Sequence, residues 1–579
     1  MWREEAQIQG LKMSSLSQQE LLRQVLNEQQ ERICQMFPQH RERALVALTR
    51  ANDWRFLSSL NDPLPAAPPL FPSGWLKALL LCFDTTTIHA RDESIQDIRA
   101  DQILSACDQV TAGEQVLAFC ESGFMRMQQG GQADFSVWIA SKKKPTEWVE
   151  REDIEGWTSA LARLYRHELQ QLAQEKELLQ QQLNEFASHW QAETIAYRTT
   201  PEIDAYYTRV GMVHGKILAY HFPYAGQTVI GGCTAQLYRE VLATLIGFAL
   251  KHMDLCKAWV GRHPAFPLRA LLAPVLEVDA LIAALSEVLD ADRKSIGHAV
   301  EVLSLSHENV AYHCSVAGAP TPPLLRLNER ALTWSLMGLL SMPCFFLMRE
   351  LRRLHSYEYQ RASSVLEESF RQDVYRLFSD RRFERSDRSI ALKDKQGRLI
   401  TDVDAMIFDR KTGALALFEL KSQDPFAYSP QERRRQQAYF YNARKQVLAC
   451  AQWLKQNGAS TLLTRLESRQ VKRLKVHKVF LFVLGRYLAH FFDGPVFDQN
   501  AAWGTWPQVL RLTHAEPFSA DATHPIQSLY TRLRKDAPLT LSNPAFELLE
   551  VTIGERCMRI YPDFQAYRTH LQERTSGRA

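Results

Sequence analysis

The run from Arg398 to Gln423, RLITDVDAMIFDRKTGALALFELKSQ, limits most strongly what this chain can become. Two apolar, β-rich segments flank a turn, Arg410-Lys411-Thr412-Gly413. The first carries Asp402 and Asp404, and the second carries Glu419 and Lys421. Side chains alternate along a strand, so residues two apart share a face. Asp402 and Asp404 are therefore expected to project together, as are Glu419 and Lys421. If the segments pair as a hairpin, three carboxylates and an ammonium converge. Ile400, Val403, Ile407, Phe408, Leu415, Leu417, Phe418 and Leu420 supply enough apolar surface to bury most of both strands. A charge on such a strand needs a partner or a metal, because burying it alone is costly. The alternative is a solvated edge hairpin, on which acids and lysines alternate because one face meets water.

Hard divalent cations such as Mg²⁺ take oxygen ligands, usually one or two carboxylates with water and phosphate. Such an ion polarises a phosphodiester and acidifies a bound water. A nearby lysine holds that water and offsets charge in the transition state. The grouping resembles the catalytic core of the PD-(D/E)xK nuclease superfamily, the restriction-endonuclease-like fold. There an aspartate on one strand is followed by E-x-K on the next. Asp404 takes the aspartate position, and Glu419-Leu420-Lys421 is the E-x-K. Asp402 stands where many members carry a second acid, and the customary proline is missing.

The resemblance covers roughly residues 360–485, about a fifth of the chain. It implies catalytic roles for Asp404, Glu419 and Lys421. It implies Mg²⁺, with Mn²⁺ as an alternative, held by Asp404 and Glu419 with Asp402 in support. A helix before the first core strand often adds an acid; Glu367 and Glu368 are the candidates, with Glu367 preferred. The helix expected over about Gln431 to Gln456 supplies Gln437, Arg433 and Arg444 as candidate contacts to nucleic acid. Arg433-Arg434-Arg435 also reads as an ordinary solvated face. Strands expected at Ser389–Leu392 and Val476–Val483 complete the superfamily's α-β-β-β-α-β order.

At 579 residues the chain exceeds a single core, and three or so domains are expected. The fold class expected is α+β multidomain: a largely helical N-terminal region, then a restriction-endonuclease-like module with a mixed central sheet. The divisions are 1–150 (mixed, helical), 151–200 (a long helix or coiled-coil stretch), 201–350 (helical), 351–485 (the nuclease-like module) and 486–579 (a C-terminal extension). Net charge is only +4, but residues 351–480 hold 27 Lys+Arg against 15 Asp+Glu, while the remainder holds 42 against 50. Basic charge around an acidic metal-type motif points to a polyanionic substrate.

Ten scattered cysteines without a C-x-x-C pair argue against zinc ribbons and disulfide scaffolds, and for a reducing cytoplasm. MWREEAQIQG lacks the apolar run of a signal peptide. Ala331 to Met348 is uncharged, but Pro343 and its polar residues favour a buried core helix broken near the proline over a membrane span. No membrane partner is expected.

Ser17-Gln18-Gln19-Glu20 reads as a capping box opening a helix through about Met36. A second helix is expected over Arg41–Leu60, and a proline-rich linker over Asn61–Ser73. Phe135–Ala140 reads as a strand. Ile154–Trp190 reads as one long helix, its stripe of Tyr165, Leu169, Leu172, Leu179, Leu183, Phe186 and Trp190 interrupted by Lys176. That stripe suits an intrachain helical hairpin, a partner protein or a homo-oligomer contact. Helices follow at about Gln236–His252, Val278–Asp290 and Asp292–Leu305, then a second linker at Val316–Pro323.

The first functional expectation is a metal-dependent endonuclease acting on DNA, resembling bacterial restriction or anti-phage nucleases. The alternative is a non-catalytic nucleic-acid-binding or scaffold subunit of a larger complex. No Walker motif is present, so ATP dependence would require another subunit.

Overall fold

The computed structural model describes residues 2–37, 40–60, 74–84, 97–123, 125–129, 135–139, 165–186, 189–191, 194–196, 199–316, 318–426, 429–466, 474–489, 500–515, 523–535, 549–561, 566 and 569. The architecture is mixed α and β, with two four-stranded sheets, one five-stranded sheet and several two-stranded pairs among the described residues. No helix among them is long and apolar enough to cross a membrane.

Helices Trp2–Cys34, Arg41–Leu60, Trp75–Asp84 and Asp97–Glu121 pack around Leu22, Leu26, Leu45, Leu48, Leu79 and Ile103. The first helix is already running at Ser17, so the capping-box sequence there does not open it. Strands Met125–Gln129 and Phe135–Ile139 pair antiparallel, and Arg556–Tyr561 adds parallel to the second. Leu549–Ile553 completes this sheet, so the end of the chain shares a core with its beginning. The linker expected at 61–73 lies outside the described residues.

The long helix expected over 154–190 is shorter. It spans Arg166–Phe186, and residues 154–164 lie outside the described residues. Trp190 belongs instead to strand His189–Gln191, where it faces Ile195 of Thr194–Ala196. The helix packs against Pro201–His221 and Ala235–Arg262 through Leu172, Leu183, Tyr206, Tyr207, Leu255 and Trp259. The described part of its stripe, Tyr165 to Leu183, is thus covered within the chain. Lys176, which interrupts the stripe, reaches the buried carboxylate of Asp254 at 2.7 Å. Tyr206 Oη donates to the Leu172 carbonyl at 3.1 Å.

The segment from Ala331 is also not one broken helix. Ala331–Trp334 is a strand between Leu276–Glu277 and Leu324–Arg326. Ser335 then caps a short helix, Leu336–Leu340, and Pro343 opens the next, Pro343–Leu354. Proline at the first helical position loses no hydrogen bond, since that N–H has no intrahelical partner. The expected linker at Val316–Pro323 packs at its end: Pro322 and Pro323 are buried, and a methyl on Gly338 would collide with the Pro322 carbonyl.

Fully buried Asp53 ties this corner to the N-terminal helices. It accepts from Leu336 N at 2.9 Å, Met337 N at 3.0 Å and Ser335 Oγ at 3.0 Å. One hydrophobic cluster continues from Ile217 through to Leu533, across residue 350.

The five-stranded sheet runs Phe383–Arg385, Ala405–Asp409, Ala414–Lys421, Lys478–Gly485, Ala501–Thr505. The first two junctions are antiparallel and the last two parallel, so the sheet is mixed. Residues 501–505, beyond the expected limit at 485, supply an edge strand. Helix Pro430–Asn457 covers the face bearing Leu417 and Glu419, and Pro525–Lys535 covers the other, where Tyr530 packs on Phe480 at 5.1 Å. Ala414–Lys421 lies third of the five strands and is buried up to Leu420.

Asp53→Ala would leave two buried N–H groups and a hydroxyl without their acceptor. A loss of about 1–3 kcal/mol is expected, read as a lower urea midpoint at unchanged slope.

Candidate active site

The turn at the sheet's centre is organised by Asp409, which is fully buried. It accepts from Arg382 Nε at 2.6 Å, Thr412 Oγ1 at 2.5 Å and Lys411 N at 2.9 Å. Gly413 takes φ +68°, a left-handed conformation that suits glycine. These contacts set a register in which Asp409 faces Ala414 and Ala405 faces Phe418.

The pairing does not continue as one hairpin. At Asp404 the chain bends, and Leu399–Val403 pairs with Ile390–Lys393 instead. This corrects the simple picture of Asp402 and Asp404 side by side on one strand. Asp404 is held on both sides of the bend. Its N–H donates to the Phe418 carbonyl at 3.0 Å, and its own carbonyl accepts from Arg371 Nη1 at 3.1 Å. Its Oδ2 accepts from Leu420 N at 2.7 Å, inside the E-x-K itself.

Glu419 is only 5% exposed, and its carboxylate lies 2.5 Å from Lys421 Nζ. Lys421 also donates to Gln446 Oε1 at 3.2 Å. Gln446 Nε2 donates in turn to Asp402 Oδ1 at 3.3 Å. A single amide on helix Pro430–Asn457 therefore joins Asp402 to the E-x-K across the bend. Burial pushes the Glu419 carboxyl up to about 8, and the Asp404 charge adds to the rise. Burial likewise lifts Asp404 to about 6 against the Leu420 hydrogen bond and Lys421, with Glu367 and Asp402 raising it further. Burial alone would depress the Lys421 ammonium, but Glu419, Asp404 and Glu367 outweigh it and hold it above the ordinary lysine value.

Glu367, exposed on the first turn of helix Leu366–Leu377, thus lies within the field of both Asp404 and Lys421. Glu368 is committed to Arg371 and to Gln372 Nε2, the latter at 2.8 Å. The remaining candidates are elsewhere. Gln437 is buried, and Arg433 and Arg444 are partly buried. At 3.6 residues per turn these three sit roughly 140–180° around the helix from Gln446. Gln446 is the residue missed in the sequence. Its signal is its place beside the stripe Phe440, Ala443, Val447 and Cys450, which the fold buries.

Among the described residues, no three His, Cys, Asp or Glu side chains come together as a metal-binding group. Asp404 and Glu419 remain as a two-carboxylate set beside Lys421. That set fits Mg²⁺, which commonly takes one or two carboxylates and completes its shell with water and phosphate. Two carboxyls raised by burial, Glu419 further by the Asp404 charge, are also what a divalent cation would relieve.

Comparisons with protein-family models, curated proteins and solved structures find no match to this chain.

Asp404→Asn keeps an oxygen for Leu420 N and leaves the Glu419–Lys421 pair in place, while removing one buried negative charge. The expected outcome is a higher melting temperature than wild type in EDTA, with loss of any further rise on adding Mg²⁺ or Mn²⁺. Differential scanning fluorimetry with and without metal checks both.

Proposed function

We propose that this chain is a metal-dependent nuclease that hydrolyses phosphodiester bonds, with DNA as substrate. The observation that carries the reading is the buried Glu419–Lys421 pair, 2.5 Å apart, next to Asp404 and at the end of the sheet's central strand. A structural salt bridge does not need a second and third acid turned toward it. Here Asp404 and Glu367 load negative charge onto the ammonium besides Glu419, and Asp402 adds to the field at Asp404 and Glu419. The mixed five-stranded sheet, covered on both faces by helices, supports the finer reading of a restriction-endonuclease-like module.

In this reading Asp404 and Glu419 hold the metal, with Asp402 and Glu367 tuning the field. Bound Mg²⁺ would polarise the phosphodiester and acidify a water. Lys421 Nζ donates to that water and to the phosphoryl oxygen on which charge develops as the P–O bond to the leaving group breaks. Gln446 Oε1 accepts from Lys421 and keeps its head aimed along the acids, a positioning role. Arg371 holds the Asp404 main chain, and so the direction in which that carboxylate points.

Incubating plasmid and linear DNA with the purified protein tests the proposal. Cutting is expected with Mg²⁺ or Mn²⁺ and is stopped by EDTA. Asp404→Ala and Lys421→Ala should each lower the rate about 10²-fold or more. Folded protein that binds DNA but cuts none under any metal would overturn it.

A further inference from the structure

Helix Pro430–Asn457 carries six Lys+Arg, and its one acid, Glu432, is turned inward. Glu432 closes the capping box with Ser429 and lies 3.4 Å from Arg349 and 3.7 Å from Arg352. The outward face therefore presents cationic and neutral groups without an opposing carboxylate of its own. Along it, Arg435, Tyr439, Asn442 and Gln446 are spaced i, i+4, i+7 and i+11, which stacks them on one stripe. Arg435 and Asn442 are exposed, and the Tyr439 ring is 45% exposed. Exposed Arg434 and Lys445 flank the stripe. At its far end Gln446 touches both Asp402 and Lys421. The stripe thus leads over about 16 Å of helix into the acidic site.

We propose that this stripe is the track along which an unpaired DNA strand enters the site, an assignment that rests on the nuclease reading for the nature of its occupant. Charge complementarity favours a polyanion. The exposed ring set between arginine and amide favours unpaired bases, because stacking on a side chain needs a base face that a duplex keeps covered. Arg435 lies within the field of Asp424, whose carboxylate already accepts from Tyr359 Oη at 2.6 Å and lies 3.5 Å from Arg352. Asp424 is thus committed to Tyr359 and Arg352, while exposed Arg435 stands where a backbone phosphate can reach it.

The test is fluorescence anisotropy of the full-length protein in EDTA, so that nothing is cut. The probes are a labelled 20-nucleotide oligo(dT), a 20-base-pair duplex and an oligo(rU) of equal length. Variants are Tyr439→Ala, Arg435→Ala and, as a charge-matched control off the stripe, Lys455→Ala. Tyr439→Ala is expected to weaken oligo(dT) binding about tenfold. Arg435→Ala should weaken it and reduce the salt slope by about 0.7. Lys455→Ala should do neither, and wild type should prefer oligo(dT) to the duplex. Equal binding by all variants, a duplex preference or tighter oligo(rU) binding would each overturn the proposal. Failure of the nuclease reading looks different: track variants lose oligo(dT) binding, yet no metal induces cutting. Cutting of single strands unaffected by Arg435→Ala and Tyr439→Ala would sink the track and keep the nuclease.

Discussion

Placing a carboxylate and an ammonium at the end of a strand buried on both faces is the constraint around which this part of the molecule is built. Ala414–Lys421 has a neighbour strand on each side and a helix over each face, so Glu419 has little access to water. Desolvating two charges costs more than their attraction returns unless the geometry is close and further hydrogen bonds complete it. The surroundings meet part of that demand. Gln446 accepts from Lys421, Leu420 N satisfies Asp404, and Arg371 holds the bend. Burial first, and the neighbouring acids after it, still raise both Asp404 and Glu419. In the proposed nuclease, folding stability is given up there for a site that attracts a cation, a trade common at functional centres.

The helix that delivers Gln446 is itself held from behind. Helix Pro343–Leu354 presents Arg349 and Arg352 to Glu432 and Asp424, at the start of the helix and in the loop after the E-x-K. One residue further on, Glu350 is turned the other way. It accepts from Asn309 Nδ2 at 3.0 Å and Arg353 Nη2 at 2.7 Å and lies 3.0 Å from His313 Nε2. Burial would raise the Glu350 carboxyl, but these partners hold it down to about 2. Consecutive residues of one short helix therefore grip the middle of the chain on one side and the site's helix on the other. The shared hydrophobic cluster across residue 350 has a polar counterpart.

Much of the local chemistry was legible because it rests on short-range rules. Alternation placed Glu419 and Lys421 on one face, Thr412-Gly413 marked the turn, and Val365 to Phe378 showed a helical stripe whose first turn carries Glu367. The misreadings have a common cause. Residues 154–190 are periodic apart from Lys176 and residues 331–348 are uncharged, but strand partners elsewhere decide part of their state. The backbone of His189–Gln191 pairs with Thr194–Ala196, and Leu324–Arg326 captures Ala331–Trp334. Pro343 was read as a break, yet it opens a helix because the preceding residues had already left one. Gln437 and Arg444 lie on the same helix as Gln446 but roughly 160–180° around it. Only packing of Phe440, Ala443 and Val447 onto the sheet sets which way that helix is turned.

By itself, then, the sequence determined the chemical inventory and its spacing: Asp402, Asp404, Glu419 and Lys421 on β-forming segments, a basic segment around them, and an arginine-rich helix to follow. Those depend on residue type and on periods of two and 3.6, which are local properties of the chain. The tertiary structure decided that the strand breaks at Asp404, that Gln446 bridges Asp402 to Lys421, and that Glu367 lies within the field of Asp404 and Lys421 while Glu368 pairs with Arg371. It also decided that 501–505 complete the sheet and that the last strands return to the first domain's core. Each of these is a meeting of residues far apart in sequence, chosen by which apolar faces find cover, and no local pattern specifies it.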